Sequence, residues 1–532
     1  MAIVQRIFLS AVFAAAISLS SASAFANNAP AADQLGRVDF PTSCNSQAQP
    51  LLEKGLALLH SFQYTQARET FSDAAKEDPK CAMAYWGRAM ARYHQLWDFP
   101  QAGTLKEGLE DIQQAQKLNA STARERGYIA AAAAFYQDDQ KLTQEQRTTA
   151  YSAAMAKLHQ QAPQDLEAAE FYALSLVSLA GQAVDTHANR AAAIAILKLV
   201  FAQQPNSPGA AHYLIHAADT PEFAPEGLAA ARAYAKIAPD SSHAIHMPSH
   251  IFARLGLWQE SIASNVAASA SAEHATDMHT AEAHYQTHAM DYLDYAYLQS
   301  GQEAKARALA ASALNVHGAS EEDRQDHHAQ LEARNALELH RWKEAAALKI
   351  PDVKLVSQDT TYWVRAIGAA RSGDIAAARA DVQKLSEIVT LREADSRREG
   401  YKVSEEKATD LREAEAWLAF AEGKYDAAIA EIKAAADRED KENGEHTRVP
   451  AREMLGDLYT ELKKPAEAEA AYDSSLKLSP NRFDSLFGAG LAARAKGDAT
   501  LSQSYFAKLS SIAGPGADRP ELAEAKTYLA QK

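Results

Sequence analysis

Residues 55–79 read GLALLHSFQYTQARETFSDAAKEDP, and the placing of Gly55, Ala67 and Pro79 in that run decides the fold. Small residues stand twelve positions apart, and a proline follows after twelve more. That rhythm describes two antiparallel helices whose close crossing needs a small side chain on each, the second ended by a residue that cannot continue it. The small-residue-to-proline step recurs at Ala193/Pro205, Gly227/Pro239 and Ala468/Pro480, and Gly456 stands to Ala468 as Gly55 does to Ala67. Alanine is abundant throughout, glycine and proline gather at helix junctions, and no alternating β-branched run appears. The chain therefore reads as an all-α solenoid of helix pairs.

Residues 455–480, LGDLYTELKKPAEAEAAYDSSLKLSP, carry the same pattern, and with residues 55–79 they resemble tetratricopeptide repeats, whose period is about 34 residues. Shorter traces of the turn and the following alanine stand at 341–346, 373–378 and 423–428. The resemblance implies a right-handed superhelical solenoid of antiparallel pairs with a concave groove, closed by a capping helix at 520–531. It covers nearly all of the chain beyond the N-terminus and is specific for the fold, while such folds carry many unrelated functions. The stretches GAAHYLIHAAD, HAIHMPSHIFARLGLW and PAREMLGDLY also look like a branch of secreted bacterial repeat proteins, a likeness that brings no mechanism with it.

The N-terminus has its own signature. Arg6 precedes a mostly apolar run from Ile7 to Leu19, and small residues ending at Ala26 follow. This is the layout of a secretory signal peptide (1–26), too short for a bilayer span of about 20 residues, so a periplasmic or secreted protein is expected after cleavage near Ala26. An extended lead-in (27–47) then enters an N-terminal solenoid (48–320), followed by C-terminal repeats and cap (321–532). Charged residues interrupt every later helical segment, so no membrane span is expected. A net charge of −15 without a basic cluster argues against nucleic acid. The charged runs 392–406 and 437–448 read as solvated helix ends or loops. The two cysteines, Cys44 and Cys81, exclude a thiolate metal site; they either bridge each other or stand as separate thiols, and sequence does not choose.

Histidine carries the functional signal. Of 18 histidines, nine fall between His212 and His288, and seven of these form the clusters His212/His216, His243/His246/His250 and His284/His288. Spacings of three and four put each cluster on one face of a helix. In the repeat register implied by the resemblance, positions 2, 5, 9, 12 and 13 face the groove. Those places fall to His212, His216 and Asp219, to His243, His246, His250 and Arg254, to Glu167 and Glu170, and to His60 and His94. The helix with His284, His288 and Asp291 fits less well, because Asp294 would take the small position.

Imidazoles at i and i+4 can chelate one ion, and helices packed about 8 to 10 Å apart can share it. His212/His216 with His243/His246/His250 is the expected shared site, with His284/His288 and Asp291 completing it or forming a second. Glu167, Glu170, Asp219 and Asp291 are candidate carboxylate ligands or acceptors that orient the rings. Such a donor set suits zinc, copper, nickel, iron or manganese. Three functions follow. A solenoid binds a protein, peptide or small ligand in a groove that holds a divalent metal, with Glu167, Glu170, Arg254, His60 and His94 contacting the ligand. A metal-dependent hydrolase uses Glu167 or Glu170 as general base, or an oxidase uses a metal pair. The third is a metal-free assembly scaffold. A Ser/His/Asp triad through Ser249 is weaker, since that serine occupies the helix-crossing position. Tyr85, Trp86, Trp97, Tyr213, Phe252 and Trp258 read as packing residues.

Overall fold

The structure is a computed structural model that describes residues 34–137, 141–182, 186–278, 283–399, 406–442 and 447–531. The signal-peptide segment and its cleavage point near Ala26 lie outside these residues, as do the start of the lead-in and parts of the two charged runs. Among the described residues there are α-helices, two 3-10 segments and turns, and no strand. No described helix is long and apolar enough to cross a membrane. The expected all-helical stack of pairs is what forms.

The first pair, Ala48–His60 and Tyr64–Glu77, explains the glycine spacing. Phe71 from the second helix is fully buried between Gly55 and Gly87; a Cβ on those glycines would stand 2.8 and 2.4 Å from its ring. The C-terminal repeats use the same device, with Tyr472 held between Gly456 and Gly488 at 2.6 and 2.4 Å. One aromatic knob thus locks three successive helices, and any side chain at the glycines would push the stack apart. In many of the pairs the turn takes one left-handed residue. Gly301, Gly373, Gly423 and Gly497 supply it at φ from 74 to 89°. In the first repeat that place is taken by Phe62 at φ 56°, a conformation that costs a bulky side chain energy.

Around the histidine clusters, side-chain caps fix where the helices start. The Ser207 hydroxyl accepts from the Ala210 amide ahead of Pro208–Ala218, and that of Ser241 accepts from the Ala244 amide ahead of Ser242–His246. The segment expected as one helix with His243, His246 and His250 is two, Ser242–His246 and Pro248–Arg254, joined at Met247. Pro248 has no amide to donate to the preceding turn, so the helix breaks there.

Distant parts of the chain then close on one another. The lead-in is anchored by Phe40, buried and stacked on Trp86 with ring centroids 5.5 Å apart, and by a Cys44–Cys81 disulfide, so the cysteines do bridge. The Tyr285 hydroxyl donates to the Phe62 carbonyl at 3.0 Å, which brings the helix Ala283–Gln299 against the first repeat. On its other side, Gln299 accepts from the Phe483 amide at 2.9 Å, and the Trp258 indole donates to the Asn481 carbonyl at 2.8 Å. Arg482, fully buried, holds this junction through Glu338 at 2.8 Å, Glu453 at 2.7 Å and the Tyr295 hydroxyl at 3.1 Å. The helix Ala283–Gln299, which bears His284 and His288, is therefore held at both ends.

Candidate metal centre

Two triads of imidazoles converge, and the grouping differs from the one expected. His212 and His216 on Pro208–Ala218 meet His243; His246 and His250 meet His288 from Ala283–Gln299. His243 and His246, neighbours on one short helix, thus serve different triads. Within each triad the candidate ligand atoms lie within 4.8 Å of one another. The Nε2 of His212 is 3.0 Å from that of His216 and 3.1 Å from that of His243, and the Nε2 atoms of His246 and His250 are 3.1 Å apart. Bonds of about 2.0 to 2.1 Å to one ion at coordination angles near 90 to 110° set neighbouring nitrogens about 2.8 to 3.4 Å apart.

The other ring nitrogens explain why these edges face inward. Nδ1 of His212 donates to the His60 carbonyl at 2.6 Å. Nδ1 of His246 donates to the Asn265 side-chain oxygen at 2.7 Å, and the amide nitrogen of Asn265 is itself committed to the Ser261 carbonyl at 2.9 Å. Nδ1 of His250 donates to Asp219 at 3.0 Å, whose second oxygen accepts from Arg254 at 3.0 Å. In each neutral ring Nε2 is then an acceptor, the tautomer that binds a metal. Acceptors of His246 and His250 facing each other at 3.1 Å repel unless a cation or proton lies between them. Burial holds the His212 imidazole down to about 3 and that of His288 down to about 4, and pushes His216 and His243 well below the usual histidine range. At neutral pH these lone pairs are not lost to protons.

The triads stand side by side. Ring centroids of His216 and His250 are 6.2 Å apart, and those of His243 and His246 are 6.3 Å apart. Both open onto one cavity of about 720 Å³, whose wall includes His216, His243, His250 and His288. Facing them are four aromatic rings, Phe62, Tyr64, Tyr285 and Trp97, the first three not singled out by the sequence. Trp97, expected as packing, is 47% exposed on this wall, whereas Trp86, Tyr213, Phe252 and Trp258 are buried as expected. Phe62 lies over the first triad, its ring 4.4 Å from that of His212 and 5.6 Å from that of His216.

Other candidates take different places. Glu167 and Glu170, expected to face the groove, are buried around His60, which is itself core rather than groove lining. His60 Nε2 lies 2.8 Å from Glu167, and its Nδ1 lies 2.8 Å from the Tyr213 hydroxyl. Glu170 accepts from the Ser207 hydroxyl at 2.6 Å, and burial pushes both carboxyls up to about 8. Their neighbours fill the space that the register alone assigned to the groove. Asp219 and Arg254 sit behind His250 as described. Asp291 pairs with Arg334 at 3.3 Å and is in neither triad. His284 lines the cavity against Tyr285, and His94 lines it stacked on Tyr64 at 4.0 Å. Ser249 is buried at the helix crossing, 3.5 Å from His246 Nδ1.

The comparisons with known proteins concern the scaffold. A tetratricopeptide repeat family model matches residues 52–121, 413–481 and 453–517. Among solved structures, a tetratricopeptide repeat protein from Parabacteroides merdae is 16% identical, over 54% of this chain and 98% of that one, with a TM-score of 0.31. Human IFIT1, as a dimer with PPP-AAAA, is 14% identical over 78% and 88% of the two chains, with a TM-score of 0.35. No curated protein matches. The match to tetratricopeptide repeats thus covers segments near both ends of an all-helical stack of paired helices.

Proposed function

We propose that this chain is a periplasmic or secreted repeat solenoid that holds two transition-metal ions, one in each histidine triad, and receives a small ligand in the aromatic cavity beside them. The observation that carries the reading is the convergence of Nε2 atoms at 3.0 to 3.1 Å in rings whose Nδ1 atoms are bonded elsewhere for His212, His246 and His250. A hydrogen bond relieves one such contact; a central cation relieves all of them. Export is supported by the leader-like residues 1–26 and by the disulfide, a bond that persists in oxidising compartments.

The test is the metal content of untagged protein. Two ions per chain are expected, falling to one in His212→Ala and to one in His288→Ala, with circular dichroism unchanged. Protein that takes up no transition metal, or that keeps two ions in both variants, overturns the reading and leaves the scaffold role. The hydrolase alternative has no support from Glu167 or Glu170, since both are buried against His60 and neither lines the cavity.

A further inference from the structure

We infer that the pair of triads is a copper site that uses dioxygen to oxidise an ortho-diphenol held between the cavity's aromatic walls; the inference rests on the paired-metal reading above. The first argument is charge. Both triads are built from neutral imidazole alone, and the nearby carboxylates are paired with arginine, Asp219 with Arg254 and Asp291 with Arg334. Two divalent ions would bring four positive charges to this neutral ligand set, which is buried apart from the exposed His288, and repel each other four times as strongly as two monovalent ones. Cuprous ions need only half that charge, and among common divalent ions the cupric form binds imidazole most tightly. Copper alone among the expected metals therefore suits the site in a monovalent and a divalent state.

The second argument is shape. The two triads are neighbours, with ring centroids 6.2 Å apart for His216 and His250 and 6.3 Å apart for His243 and His246, and both border the one cavity, so a small molecule bound there can reach toward both. Dioxygen spans such a pair with its two atoms, and an ortho-diphenol does so with two adjacent oxygens. Trp97, 47% exposed, and Tyr285 stand on the cavity wall as the aromatic side chains able to pack against such a ring, with Tyr64 and Phe62 stacked behind. A cavity of about 720 Å³ is larger than one ring needs, so a substituted diphenol fits.

The reaction balances without a further reductant. Each diphenol loses two electrons, one to each cupric ion, and the two protons of its hydroxyls, leaving a quinone. Two diphenols thus supply four electrons and four protons. One dioxygen takes these up, its O–O bond breaks, and two waters leave.

The experiment uses the full-length, untagged chain loaded with cuprous ion without oxygen, then given 4-methylcatechol and air. Quinone absorbance and oxygen uptake are followed together. The expected result is two coppers per chain and one oxygen consumed per two quinones formed. Trp97→Ala, at a half-exposed position whose loss leaves the core intact, should raise KM for the diphenol tenfold or more. Two coppers bound with no oxygen uptake overturns the oxidase inference and leaves the paired-metal reading standing. Failure to bind any metal overturns both. Turnover with an unchanged KM in Trp97→Ala overturns the placing of the diphenol against the aromatic wall.

Discussion

At the scale of single residues, the histidine spacing announces the ligands, but the groups that aim them come from elsewhere in the chain. His212 is oriented by the carbonyl of His60, 152 residues away, and His246 by Asn265 in the helix Trp258–Met278. Asn265→Ala removes the acceptor that fixes the His246 tautomer, and metal affinity of the second triad should fall about 10- to 100-fold, read by chelator competition. No sequence rule singles out Asn265, because its meaning depends on which ring it meets. Glu167 and Glu170 fail as groove residues for the same kind of reason: the register gives the position on a helix, not the partners. Their raised carboxyl pKa has a consequence with a definite sign. A group near 8 in the folded state and near 4.5 unfolded holds its proton more tightly when folded. Its contribution to stability is thus fully present below about pH 4.5 and is lost as pH rises toward 8. Urea denaturation between pH 5 and 8 should show a smaller loss of stability with rising pH in Glu170→Gln than in the parent protein; an equal loss would show that Glu170 does not keep its proton.

At the scale of helices and turns, the small residues found by counting are explained by the aromatic knobs they accommodate. Gly488→Ala places a methyl 2.4 Å from the buried Tyr472 ring and should cost about 1 to 3 kcal/mol in urea unfolding, whereas Gly103→Ala, with open space around it, should not destabilise by this route. These pairs were legible because their rhythm is local. The break at Pro248 was visible as a proline, yet the clustering of His243, His246 and His250 outweighed it in the reading. Its effect is to end the short helix bearing His243 and His246, and His250, on the helix after the break, stays 3.1 Å from His246. Phe62 takes the left-handed turn position that five other turns give to glycine and two to His340 and Lys463, and its ring covers His212. Strain of this sort is kept where the side chain has a task. Sequence offered only the missing glycine as its trace.

At the scale of the whole molecule, segments far apart in sequence are tied together, and one of these ties, Tyr285 to Phe62, joins two sides of the cavity wall. The Tyr285–Phe62 bond, the Trp258–Asn481 bond and the buried Arg482 cluster connect segments far apart in sequence. Repeat counting treats each unit as seeing only its neighbours, so these closures are outside its reach. They are also why the aromatic wall went unread: Phe62, Tyr64, Trp97 and Tyr285 come together only after the chain has turned back on itself. Arg482→Ala would strand Glu338 and Glu453 without their shared cation, and a loss of about 3 to 5 kcal/mol is expected in equilibrium unfolding.

The most direct measurement of the central claim is a crystal structure of the untagged protein, grown with the metal it retains and recorded at that metal's absorption edge. Two anomalous peaks are predicted, one about 2.0 to 2.1 Å from the Nε2 atoms of His212, His216 and His243, the other likewise within His246, His250 and His288. Triads closed on themselves with no peak at either, or ions bound only elsewhere, would contradict it.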